Sequence, residues 1–240
     1  TIPAPELKPT HPHLVDLIDL ADIALLAPEG VAAAARPVTD GAGLLRVIEP
    51  TGTGLGRLLR EESTPSSRPD VHTRQRCQYT RTDLAADLAQ QPAAFMFIGH
   101  VGAPGVTSGL QLSDGTLTAL DLARLPMPPR VALLGCASAH DLAQADAASL
   151  PRAAVTAGAE VVIATPWTLP TATGLGSRDG EDPLADLGNA VEQALRAPDP
   201  VAACTDLVRE ARSRWHSGSG SPPLLWGGVL PLVRHETWDR

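Results

Sequence analysis

Three short, continuously apolar runs restrict what this chain can fold into more than any other feature: AFMFI at 94–98, VALL at 131–134 and VVIA at 161–164. Each has the length of a strand and none alternates with polar residues, so each must be covered on both faces. A fourth run, LLRVI at 44–48, is apolar except for Arg46 and ends at Pro50 and the glycines 52, 54 and 56. Those glycines lack the spacing of a dinucleotide-binding turn and read as a flexible turn. Between the second and third runs, 150–157 reads as a helix closed by Gly158, and strand, helix, strand units of this length pair their strands in parallel. A shorter helix through Leu84 and Leu88, capped by Thr82 or Asp83, precedes the first run. Two more helices are expected at 184–196 and 200–215, the second with Val201, Cys204, Leu207, Val208, Ala211 and Trp215 on one face, and 229–233 supplies a last strand. The pattern is an α/β sheet with helices on both faces.

Outside this core the sequence changes character. Prolines at 3, 5, 9 and 12 mark an extended leader, and Leu14, Leu17, Ile18, Ala21, Ala24 and Leu25 recur at helical spacing after it. The chain begins at Thr1, and 1–37 is read as a leader and N-terminal helix left from a larger protein, with the α/β domain at 38–240. Residues 61–76 are polar, hold two prolines and show no apolar period, so a mobile surface loop is expected there.

Composition removes several functions. With 27 acidic residues against 19 basic ones the net charge is −8, which excludes nucleic acid as a general partner, because phosphate backbones are held by clustered Lys and Arg. No run approaches the roughly 20 apolar residues of a membrane-spanning helix, so no membrane partner is expected. Three cysteines, Cys77, Cys136 and Cys204, are too few and too scattered for a disulfide framework, and a reducing cytoplasm is the simpler expectation.

Two of the apolar runs end in reactive residues. FMFI leads into Gly99 and His100, and VALL leads into Gly135 and Cys136. In an open α/β sheet the functional crevice lies beyond the carboxyl ends of the strands. If the two strands are parallel neighbours, His100 and Cys136 leave the sheet side by side, each after a glycine that allows a sharp turn. A thiol needs such a neighbour, because only its thiolate attacks a carbonyl well and an imidazole can take its proton. The same residues also allow a plain reading, a buried strand-end cysteine and a surface histidine. A zinc site at Cys136, His140 and His100 lacks a fourth ligand, and no metal is expected.

The text around the pair adds to this. FMFIGHVG, SGLQLSDGTLTALDL at 108–122, VALLGCASA at 131–139, LPRAAVTAGAEVVIATPW at 150–167 and WGGVLPLV from Trp226 together resemble the CHAT domain family of caspase-like cysteine peptidases. The resemblance implies a caspase-like three-layer αβα sandwich with a mostly parallel central sheet. It implies His100 as general base and Cys136 as nucleophile of a peptidase dyad, acting on a protein or peptide substrate without any cofactor. A bacterial signalling or defence role, under a regulatory protein or attached module, is part of the same expectation.

The chain departs from the family at identifiable points. Relatives hold the oxyanion on the amides of the cysteine and of a glycine directly after the histidine; here Val101 takes that place and Gly102 follows, so Val101, Gly102 and Cys136 are the expected donors. The acidic residues that many relatives carry after the tryptophan are absent from Trp167, Thr168, Leu169, Pro170 and Thr171, which leaves Asp141 and Asp146 as candidates for a pocket accepting a basic side chain. These departures keep open a rival of another class, a catalytically weak CHAT-like module that binds protein or serves as a scaffold.

Overall fold

The computed structural model describes residues 43–61, 63, 68–102, 109–135, 149–170, 174 and 181–234, together with the backbone of 25–26. In chain order the strands are β1 (Leu25–Leu26), β2 (Leu44–Ile48), β3 (Val71–Gln75), β4 (Ala94–Ile98), β5 (Gly109–Leu112), β6 (Gly115–Thr118), β7 (Arg130–Leu134), β8 (Val161–Ala164) and β9 (Leu230–Val233). The helices, numbered in the same way, are α1 (Arg81–Ala89), α2 (Ala119–Leu122), α3 (Leu150–Thr156), α4 (Pro183–Arg196), α5 (Pro200–His216) and α6 (Pro223–Trp226).

Seven strands form one sheet in the order β1-β9-β8-β7-β4-β2-β3, and β5 and β6 form a separate antiparallel hairpin. Every pairing in the large sheet is parallel except β8 with β9. The four apolar runs are its centre, and their period of two divides them between two cores. Leu45, Val47, Phe95, Phe97, Val131, Leu133 and Val162 pack on one side with α1, α2, α3 and the hairpin. Leu44, Ile48, Met96, Ile98, Ala132, Leu134 and Ile163 pack on the other with α4, α5 and α6. Each fully buried Leu, Ile or Phe is worth about 1.5–3 kcal/mol, so a strand apolar on both faces stabilises both layers at once. This is the three-layer α/β sandwich expected from the sequence, mixed but mostly parallel.

Local chemistry explains where the helices start. Asp182 accepts the Ala185 amide ahead of α4, Asp199 accepts the Val201 and Ala202 amides ahead of α5, and both helices place proline in the first turn. The cap of α1 differs from expectation: Thr80 stands at the N-cap, with Asp83 three residues on completing a reciprocal capping box. Trp215, expected on the buried face of α5, is 43% exposed. The last turn of α5, residues 213–216, is exposed throughout, so the apolar face of the helix ends before Trp215.

Two further expectations are corrected. The polar segment 61–76 contains β3, which pairs in parallel with β2 from Leu44↔Val71 to Ile48↔Gln75. An edge strand with partly exposed faces does not need an apolar sequence, which is why VHTRQ gave no sign of it. Leu25, expected to end a helix, belongs with Leu26 to β1, paired with β9 in register Leu25↔Leu232. The remainder of the expected 14–25 helix lies outside the described residues. No helix among the described residues is long and apolar enough to cross a membrane.

Candidate functional site

The carboxyl ends of β2, β4, β7 and β8 form one edge. Ile48 pairs with Ile98, Ile98 with Leu134, and Leu133 with Ala164, so the residues that follow emerge together. The ladder continues past the strands: Glu49 N donates to Ile98 O at 2.8 Å and Gly99 N to Leu134 O at 3.2 Å. Thr165 Oγ1 donates to Gly135 O at 2.5 Å and ties the end of β8 to the end of β7. His100 and Gly135 therefore stand on adjacent strand ends, in the order the sequence pattern requires. Cys136 lies outside the described residues, as do Asp141 and Asp146.

Gly99 and Gly135 serve a different purpose from the one expected. Neither has the left-handed backbone that a sharp turn would need. The constraint is close approach: a Cβ on Gly99 would lie 2.5 Å from the Phe97 ring, and one on Gly135 would collide with Val101 Cγ2 and lie 2.7 Å from Gly99 O. Val101 is buried against Gly135, so the two strand ends are packed directly on each other.

His100 is half-buried, and its Nε2 is 2.5 Å from Gly56 O. A carbonyl oxygen can only accept, so Nε2 carries the proton and Nδ1 keeps its lone pair in the neutral ring. In this tautomer Nδ1 is the ring nitrogen that can accept a proton. The backbone on either side is held by the hairpin: Gln111 N donates to His100 O at 3.0 Å, and Gly102 N donates to Gly109 O at 3.1 Å, on either side of an antiparallel bridge between Val101 and Leu110. Of the three amides expected to face an oxyanion, that of Gly102 thus has a partner within the fold, and that of Val101 has no acceptor among the described residues.

Beside His100 lies a cleft of about 280 Å³, lined among others by Thr51, Leu55, Gly56, Arg76, His100 and Gln111. One wall is the glycine-rich loop after β2, with Gly52 and Gly54 at φ of 83° and 70°. Its start is tied down by Thr51 N to Cys77 O at 3.0 Å and by the Ser113 hydroxyl, which donates to Thr51 O. The sequence identified this stretch only as a turn; its contact with the histidine is made by a main-chain carbonyl, which no side chain announces. Further along the edge, Trp167 is 38% exposed, with its ring against Gly227 and Gly228 and its Nε1 donating to Leu224 O at 2.7 Å.

Cys204 is buried on α5, where burial pushes its thiol up to about 12, so it is inert as a nucleophile. No group of three or more His, Cys, Asp or Glu among the described residues is placed to hold a metal ion.

Residues 45–175, more than half of the chain, match the CHAT domain. No curated protein matches the chain.

Proposed function

The chain belongs to the CHAT domain family, and from that membership we propose that it is a polypeptide-recognising module that takes an extended segment of another protein at the carboxyl edge of its sheet, with little turnover of its own. The observation that carries this reading is the cleft beside His100, because its glycine-rich wall offers main-chain groups to an extended peptide while the hairpin closes the other side. Val101 supports weak turnover. Its buried side chain fills the contact with Gly135 at the place where the family expects glycine, and the Gly102 amide is already bonded to Gly109. Affinity selection from a peptide library, followed by mass analysis of the bound peptides, tests this directly. Equal binding by wild type and Cys136→Ala, with the peptides left intact by both, is the expected result; no selective binding by either protein would overturn it.

A second reading is hydrolysis, favoured by one specific observation, the orientation of His100 with Nδ1 unprotonated. In that reading His100 takes the proton of Cys136, and the thiolate adds to the scissile carbonyl. The oxyanion rests on the amides of Val101 and Cys136, and His100 returns the proton to the departing amine before water releases the acyl group. Asp141 and Asp146 would then be tested as a pocket for a basic side chain. Cleavage by wild type and not by Cys136→Ala establishes this reading over the first.

A further inference from the structure

Glu49 and Arg76 follow neighbouring parallel strands, β2 and β3, and both have left-handed backbone, with φ of 46° and 47°. Side chains other than glycine and asparagine seldom accept that conformation unless the surroundings enforce it. Here Arg76 N donates to Ile48 O at 2.9 Å, and the two side chains meet, Arg76 Nε to Glu49 Oε2 at 3.0 Å. The free oxygen of Glu49, Oε1, accepts the amides of Leu58 at 2.5 Å and Leu59 at 3.0 Å. The guanidinium of Arg76 reaches the carbonyl oxygens of Glu61 at 2.7 Å and Leu59 at 3.4 Å, and that of Arg60 as well. Together they hold residues 58–61, the carboxylate taking the amides of Leu58 and Leu59 and the guanidinium the carbonyls of Leu59, Arg60 and Glu61, with Leu59 held by both.

What they grip leads to the histidine. Gly56, whose carbonyl oxygen accepts from His100 Nε2, lies two residues before Leu58. Gly52, Gly54 and Gly56 make the stretch between Thr51 and Leu58 too permissive to hold its own shape. Its geometry is set by its two anchored ends, the Thr51 contacts on one side and Glu49 with Arg76 on the other.

We propose that Glu49 and Arg76 form a positioning clasp that fixes the Gly56 carbonyl and, through it, the tautomer and orientation of His100. The clasp rests on the reading of this edge as the functional site, and it adds two residues that line the cleft and act on His100 through the Gly56 carbonyl. It also separates a local role from general stiffening of the loop. Arg60 N is held by Asp182 Oδ2 at 2.7 Å, so loosening that contact disturbs the same loop while leaving the Glu49 and Arg76 side chains in place.

The test is the imidazole signal of His100 in ¹⁵N-labelled protein, at a pH where the ring is neutral. In wild type the bonded Nε2 proton exchanges slowly and a single tautomer is present. Glu49→Gln keeps the shape but turns an amide group against the Arg76 cation, and Arg76→Lys keeps the charge but cannot fork to three carbonyls. In both variants the Nε2 proton is expected to exchange about tenfold faster or more, with the Nδ1–H tautomer appearing, while Asp182→Asn leaves the signal at its wild-type position. Unchanged ring signals in both clasp variants overturn the proposal, and so does an equal change in Asp182→Asn. If Glu49→Gln does not fold, Arg76→Lys alone decides. Peptide binding and cleavage do not enter this readout, so failure of the clasp and failure of the proposed function remain separate results.

Discussion

Two arginine–glutamate pairs in this fold use the same chemistry for different ends. Arg46 rises from the middle of β2 into the α4 layer and meets Glu192 at 2.5 Å, with both side chains at 7% exposure or less. Thr73 accepts a second bond from Arg46 at 3.1 Å, so side chains of both β3 and α4 take bonds from this interior arginine. The pair at the edge, Arg76 with Glu49, is less deeply set, and its other partners are main-chain amides and carbonyls of the loop. Side-chain partners can be replaced together, whereas backbone partners cannot. The interior pair therefore joins a sheet to a helix in a replaceable way, and the edge pair is tied to one loop geometry.

The largest effect that could break this contrast is loss of Glu192. Glu192→Ala removes the buried carboxylate that the Arg46 guanidinium bonds and is expected to cost about 3–5 kcal/mol in urea unfolding. Arg46→Met combined with Glu192→Leu removes both charges and should recover most of that loss, since apolar replacements of buried pairs are often neutral. A double variant as unstable as Glu192→Ala would show that the interior pair is not replaceable, and the contrast would fail. The matching replacement at the edge, Glu49→Leu with Arg76→Met, is expected to remain about 2 kcal/mol below wild type, because the Leu58 and Leu59 amides lose their acceptor. Recovery there to wild-type stability would equate the two pairs.

The sequence made the interior legible and left the edge largely unread, for a physical reason. A strand buried on both faces must be written in apolar residues, so 44–48, 94–98, 131–134 and 161–164 could be read directly, and helix faces such as Leu184, Leu187, Val191 and Leu195 follow from burial in the same way. His100 was visible as a polar residue at the end of such a run. Its support was not, because Gly56 contributes a carbonyl oxygen, which every residue possesses. Glu49, a lone acid closing a buried strand, was the one available signal of the clasp, and Arg76 lay in a segment whose polarity concealed β3. The strands of the hairpin β5–β6 were not legible in the sequence, since their pairing depends on a short stretch with mixed burial.

A third charged group sharpens the comparison with a smaller effect. Asp87 on α1 receives Arg74 through two nitrogens, at 3.1 and 3.2 Å, and the Tyr79 hydroxyl at 2.9 Å, close to the exposed side of β3. Burial works against its ionisation, but the bonds from Arg74 and Tyr79 outweigh burial and hold the carboxyl below its ordinary 3.8. Burial and the same carboxylate push the Tyr79 phenol far above its usual range, so its hydroxyl stays a donor. Because the folded chain releases this proton more readily than the unfolded chain, the contribution is fully present above the ordinary carboxylate value and is lost as pH falls through the lower folded value. Asp87→Asn should therefore lower stability near neutral pH, and its deficit against wild type should shrink as pH falls from about 5 towards about 2. If the Asp87→Asn deficit were constant down the same range, Asp87 would stabilise by packing rather than charge, and only the two glutamate pairs would remain as electrostatic contacts to compare.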